Sequence, residues 1–148
     1  MRRIGAIICG MLAVALTVAA TAGAAGTGTK VSVRNTSSGK ILVNSKGFTL
    51  YMFTRDSKNT DVCKKDSSCI KFWPAVTTTG LPVAGSGIQA GKLGTIAYKG
   101  NLKQVTYNGH PLYTFSEDTS PGSTEYINVS ASGGRWPALS PRGAPVTK

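Results

Sequence analysis

An all-β fold is predicted by three observations. Gly47-Phe-Thr-Leu-Tyr-Met-Phe-Thr-Arg-Asp56 returns 62 residues later as Gly109-His-Pro-Leu-Tyr-Thr-Phe-Ser-Glu-Asp118, and a Trp-Pro pair follows each copy, at Trp73-Pro74 and Trp136-Pro137. Glycine-containing turns flanked by β-branched and aromatic runs recur in both copies. Beyond the N-terminal segment, no stretch carries the 3.6-residue apolar period of a long helix. One structural unit built twice is expected, with two antiparallel hairpin units packed against each other into one small domain.

Residues 1–24 read as a signal peptide. Arg2 and Arg3 precede an apolar stretch from Ile4 to Val18, and Ala20-Thr-Ala22 and Ala22-Gly-Ala24 follow as overlapping small-x-small cleavage sites. The mature chain is expected to begin near Gly23 or Ala25. An uncleaved anchor competes with this reading, because Ile4 to Ala25 is about as long as the ~20 residues that span a bilayer. Cys9 lies inside the apolar run and is expected to leave with the signal. Residues 25–40, rich in Gly, Thr and Ser, read as a flexible leader in which Val31-Ser-Val33 is the only strand-like run.

The first repeat unit, 41–76, opens with a hairpin from Ile41-Leu-Val43 through Asn44-Ser-Lys-Gly47 to a strand over Phe48–Phe53. Side chains alternate along a strand, so Tyr51 and Phe53 share one face and Leu50 and Met52 the other. Neither face is polar, and the hairpins are expected to be covered on both sides. Ser67 to Phe72 can form one helical turn ahead of Trp73. Residues 77–93 read as a connecting loop with one short strand. The second unit, 94–143, carries a strand at Gly94-Thr-Ile-Ala-Tyr98 and a hairpin from Leu102–Tyr107 through Asn108-Gly109 to His110–Phe115. Asn-Gly signals a tight hairpin because both residues tolerate positive φ. From Ser130 onward, glycines and prolines predict an irregular surface path ending in the tail 144–148.

The repeated aromatics Tyr51, Phe53, Tyr113 and Phe115, with Trp73 and Trp136, read as core rather than as a ligand platform. Asp56 and Asp118 end their strands, where a carboxylate can accept backbone N–H groups two or three residues on. A paired-carboxylate active site would also use two aspartates, but only if they converge. Cys63 and Cys69, an even pair in an exported chain, are expected to form a disulfide. A metal or redox pair is the alternative, although C-x5-C matches neither the zinc nor the redox spacing.

The formal net charge is +11, and +9 without Arg2 and Arg3. Outside the cytoplasm such an excess favours anionic cell-wall polymers and lipid head groups over nucleic acid, with an attraction that salt weakens. The cations are scattered between Lys30 and Lys148, with only Lys64 and Lys65 adjacent, as on a solvated surface.

Tyr51-Met-Phe53-Thr-Arg-Asp56 and Tyr113-Thr-Phe115-Ser-Glu-Asp118 share the pattern Tyr-x-aromatic-x-x-Asp. With the cysteine pair before Trp73-Pro74 and the closing Gly-Gly-Arg-Trp136-Pro-Ala-Leu-Ser-Pro-Arg-Gly143, this resembles a bacterial family of secreted repeat proteins and lipoproteins of unknown function. The resemblance covers roughly residues 40 to 143. It implies an exported bacterial protein, often anchored through lipid, and supplies no reaction, cofactor or catalytic residue. Two departures stand out. The lipid-modified cysteine of many relatives is missing after the signal, so release or retention by charge replaces anchoring. The family's cysteine pair is also closer than Cys63 and Cys69, which leaves the geometry of the pairing open.

Soft-metal handling would draw on His110, Met52 and the two cysteines as copper ligands. His110 is the only histidine, and a disulfide would consume both thiolates. Neither a Ser-His-Asp spacing nor a G-x-S-x-G elbow is present, and Gly85-Ser-Gly87 opens no phosphate-binding loop. The sequons at Asn35 and Asn128 carry no weight in a bacterial chain. The expected function is that of a secreted, non-catalytic cell-envelope or extracellular module without a cofactor. An envelope metal-handling or redox accessory protein is the alternative.

Overall fold

The computed structural model describes residues 27–148. The expected signal peptide, its cleavage point, the alternative anchor and Cys9 lie outside the described residues. Among the described residues, no helix is long and apolar enough to cross a membrane.

Over the described residues the chain is all-β, with one α-helix of six residues. Strand β1 (Lys30–Thr36) turns back into β2 (Gly39–Asn44), with Val31 opposite Asn44 and Thr36 opposite Gly39. The turn after β2 is closed by Asn44, whose side-chain oxygen accepts the N–H groups of Lys46 and Phe48, both at 3.0 Å. A 3-10 turn over Cys63–Lys65 leads to helix α1 (Ser67–Phe72). Asp66 caps α1 by accepting the N–H groups of Ser68 and Cys69. The Cys63–Cys69 disulfide ties this segment together, and Trp73 then drops into the core.

Two short strands follow, β3 (Thr77–Thr78) and β4 (Val83–Ala84), the latter lying parallel to β1. Strands β5 (Leu93–Ala97), β6 (Lys103–Tyr107) and β7 (His110–Pro111) form the second sheet, in which β6 also pairs with β3. Asn108 and Gly109 between β6 and β7 have φ of 52° and 82°, as the expected tight hairpin requires. The chain closes with the hairpin of β8 (Val129–Ala131) and β9 (Gly134–Trp136), then the pair β10 (Ala138–Leu139) and β11 (Pro145–Val146).

The hairpin turns, α1 and the two-sided burial match the sequence reading. One cluster gathers Tyr51, Phe53, Trp73, Tyr113 and Trp136 with the disulfide, and the other gathers Leu50, Met52, Leu42, Val105 and Leu112. These are the opposite faces that strand alternation assigns to Tyr51 and Leu50.

Four expectations are corrected. Residues 25–40 are not a flexible leader over their described length, because β1 hydrogen-bonds to both β2 and β4 and buries Val31. Phe48–Phe53 is not a continuous hairpin strand. Its N–H groups turn to different neighbours, Leu50 to Leu42, Tyr51 to Tyr113 and Met52 to Pro137, so no single partner runs beside it. The loop 77–93 holds two strands and a 3-10 turn over Ala90–Lys92 rather than one short strand. The stretch from Ser130 is not irregular, since β8 and β9 bring Trp136 inward and β11 ties part of the tail to β10.

Cys63 and Cys69 are 1% exposed. Unreduced protein should be two hydrogens lighter than its sequence mass, and reduction should cost about 2 kcal/mol, read as a lower denaturant midpoint. Two freely alkylated thiols in natively exported protein would contradict the pairing.

Candidate functional site

The repeated motif places each of its side chains at the junction of the two units. Tyr51 and Tyr113 lie antiparallel, the N–H of each donating to the carbonyl of the other at 2.9 and 3.0 Å. The Trp-Pro segments are exchanged. Thr114 donates its N–H to Pro74 of the first unit, and Met52 donates to Pro137 of the second. Ser116 and Phe72 are joined in the same way as Thr54 and Arg135, so each unit's tyrosine segment is bordered by the other unit's tryptophan segment.

The side chains follow this exchange. Trp73 and Trp136 stack on each other with centroids 4.1 Å apart and planes 4° from parallel. Phe115 stacks on Trp73 at 4.3 Å and Phe53 on Trp136 at 4.1 Å, giving a ladder of four rings in which each Phe meets the other unit's Trp. Tyr51 meets Trp73 edge-on and Tyr113 meets Trp136 edge-on, at 5.2 and 5.1 Å. Such contacts contribute about 0.5–1.5 kcal/mol per pair beyond the area they bury. Five of the six aromatics are buried, and Phe115, half-buried, packs against them.

The two aspartates are not simple caps of their own turns. The Tyr51 hydroxyl donates to Asp118, 3.0 Å from Oδ2, across the junction. The Tyr113 hydroxyl lies 2.7 Å from Asp56 Oδ2, the mirror contact. Asp56 Oδ1 does accept a backbone N–H, but from Val62, six residues on. In the first unit the backbone capping falls instead to Asp61, which accepts from the Lys64 N–H, and to Asp66. Tyrosine hydroxyls buried between the units need acceptors more than the exposed turns do.

Asp61 was missed in the sequence. It is 2% exposed, and its Oδ1 also lies 2.7 Å from the Tyr113 hydroxyl, while its Oδ2 is buried without a partner. A register comparison offers the signal, because Ser123 occupies the matching place of the second unit, where the first unit has an acid. The Tyr113 hydroxyl has one hydrogen for two carboxyl oxygens. The second short contact is favourable only when one of the acids is protonated and donates to the phenol oxygen. Asp56 fits that role, since burial raises its carboxyl from the ordinary 3.8 to about 6. Burial also raises Asp118, and burial together with the facing carboxylates pushes both tyrosine hydroxyls well above the usual phenol range. Asp56 and Asp118 therefore serve separate tyrosines, and the aspartate that shares a partner with Asp56 is Asp61.

The conceivable copper ligands are not assembled. The cysteines are bonded to each other, Met52 packs in the other core cluster from them, and His110 is half-buried on β7 with its proton affinity lowered by burial. Among the described residues, no three His, Cys, Asp or Glu side chains stand together as a metal-holding group.

A family model described as a secreted repeat of unknown function matches residues 32–77 and, a second time, residues 95–140. No curated protein and no solved structure matches the chain.

Asp118→Ala should cost about 1–3 kcal/mol, because it leaves the buried Tyr51 hydroxyl without its acceptor, and the denaturant midpoint reads the loss. An unchanged midpoint would remove the structural role of this carboxylate. The raised Asp56 carboxyl holds its proton more tightly in the folded than in the unfolded chain. The stability it contributes is fully present below its ordinary value and is lost as pH rises through about 6. Asp118 acts in the same direction, whereas the lowered His110 and Asp66 act oppositely. Asp56→Asn isolates the effect, since its amide can accept from Val62 and donate to Tyr113 at any pH. Between about pH 5 and about pH 7.5 this variant should lose less melting temperature than the parent. An equal loss in both proteins would place the shared proton elsewhere.

Proposed function

The chain belongs to this family of secreted repeats of unknown function, and with that as premise we propose that it is a non-catalytic module held to anionic polymers of the cell envelope by its basic surface. Membership makes the protein secreted or extracytoplasmic. The observation that supports the rest of the reading is a separation of charge by depth.

Every described lysine and arginine is exposed except Lys92, which is half-buried. The carboxylates are distributed differently. Asp61 is buried, Asp56 and Asp118 are half-buried on the two tyrosines, and Asp66 is engaged at the start of α1. Only Glu117 and Glu125 are exposed without a cap or a tyrosine to serve. The face that the protein turns to its surroundings is thus more one-sidedly positive than the net charge alone conveys. Below about pH 6 a proton retained at Asp56 increases the excess.

A surface of this kind raises the local concentration of polyanions and releases them as salt rises. The groups with the most perturbed proton affinities, Tyr51 and Tyr113, are sealed inside the junction, where they hold the units together rather than facing a substrate. The accessory metal or redox reading loses its thiolates to the disulfide.

Cells expressing the protein should release it from the envelope fraction on washing with about 1 M salt, where the Debye length falls to ~3 Å, without detergent. Purified protein should likewise be retained on an anionic polysaccharide resin at low salt and pass through a neutral one. Passage through both resins, with protein already free in low-salt medium, would show that the charge serves solubility alone.

A further inference from the structure

Three segments far apart in sequence wall a cleft of about 810 Å³: the outer part of the β1–β2 hairpin, the loop after β4, and the stretch joining β10 to β11. The walls are braced from beneath. The Tyr107 hydroxyl donates to the Pro141 carbonyl at 2.7 Å and accepts the Gln89 N–H at 3.2 Å, which links two walls. The Val33 N–H donates to Ser86 at 2.9 Å, which links the third. Gly87, with φ of 77°, lies so close to Val33 that an added Cβ would come within 2.9 Å of the valine Cβ. A cleft with cross-braced walls is formed before any ligand arrives, so binding need not supply the energy of ordering it.

Its chemistry is specific. Lys40 and Arg142 supply two cations, and no aspartate or glutamate lines it. Asn35, Ser38, Ser86 and Ser140 add amide and hydroxyl groups. No aromatic side chain is present on which a nucleic-acid base could stack. Cations beside several small neutral donors and acceptors complement a ligand that carries anionic groups and hydroxyls together.

We propose that this cleft seats one segment of a hydroxylated polyanion, a chain in which carboxylate or phosphodiester groups alternate with hydroxyl-bearing carbons. Lys40 and Arg142 hold the anionic groups, and the serines with Asn35 hold the hydroxyls. The proposal rests on the reading of the protein as a basic envelope module, and it adds the place of binding and the class of polymer. Two sources share this chemistry, acidic-sugar chains and polyol phosphate chains.

The test is calorimetric titration at physiological ionic strength with a polygalacturonate oligomer, a polyglycerol phosphate and, as a polyanion without hydroxyls, polyglutamate. Lys40→Ala/Arg142→Ala is compared with Lys64→Ala/Lys65→Ala, which removes the same charge outside the cleft. All four positions are exposed, and thermal melts confirm that each variant remains folded. The cleft pair should weaken binding of at least one hydroxylated polymer about tenfold, and the control pair no more than about threefold. Both pairs should weaken polyglutamate alike. The polymer that shows the tenfold difference identifies the source. Equal weakening of every polymer by the two pairs overturns the cleft while leaving the basic-surface reading intact. A parent protein that binds none of the three overturns both.

Discussion

The crossed pairing of each tyrosine with the other unit's aspartate is the constraint on which the rest of the structure depends. Tyr51 reaches Asp118 and Tyr113 reaches Asp56, so neither unit contains the acceptor that its own buried hydroxyl requires. Burying such a hydroxyl unpaired costs a substantial part of a domain's net stability. Mutual backbone bonds between Tyr51 and Tyr113 and the exchanged Trp-Pro segments impose the same dependence on the main chain. A single unit would expose half of the aromatic ladder and leave a phenol without an acceptor. The repeat is therefore a requirement of the fold, and the two units should gain and lose structure together.

The arrangement is symmetric in outline and asymmetric in its chemistry. Where the second unit has Ser123 beside Asp118, the first has Asp61 beside Asp56, and only the first unit places two acids on one phenol. Repulsion between the acids is relieved by a proton, so the first junction is tuned by pH more strongly than the second. The first unit also carries the disulfide that draws its connecting segment around Asp61. Duplication has left the frame intact and allowed the two junctions to differ in charge.

This use of acids inside the molecule bears on its outside. Aspartates that serve tyrosines or cap a helix do not partner surface lysines, and the cations are left facing the medium. Internal architecture and surface electrostatics are thus two results of one allocation of carboxylates. The disulfide and the caps hold the first unit's longest non-strand connection in place. They also fix the orientation of Trp73, from which the ladder is built.

The sequence by itself determined what depends on neighbours along the chain. Asn108-Gly109 could be read as a tight turn because only such residues accept two positive φ angles in succession. Ser67–Phe72 could be read as one helical turn, and Tyr51 and Leu50 could be assigned to opposite buried faces from strand alternation. The duplication, the disulfide and the positive charge were legible as spacing and composition. Only the tertiary structure decided which partner each repeated residue meets. Asp56 looks like the cap of its own turn because local hydrogen bonds are all that a linear pattern can suggest, yet its second oxygen is claimed by a tyrosine 57 residues away. Val31 and Ser130–Trp136 look like parts of a leader and an irregular tail because the polar residues of β1 and the glycines between β8 and β9 give little strand propensity of their own. They become strands when distant partners supply their hydrogen bonds. The cleft had no sequence signal, because its three walls lie far apart along the chain and become neighbours only through tertiary bonds such as β1 to β4 and Tyr107 to Pro141.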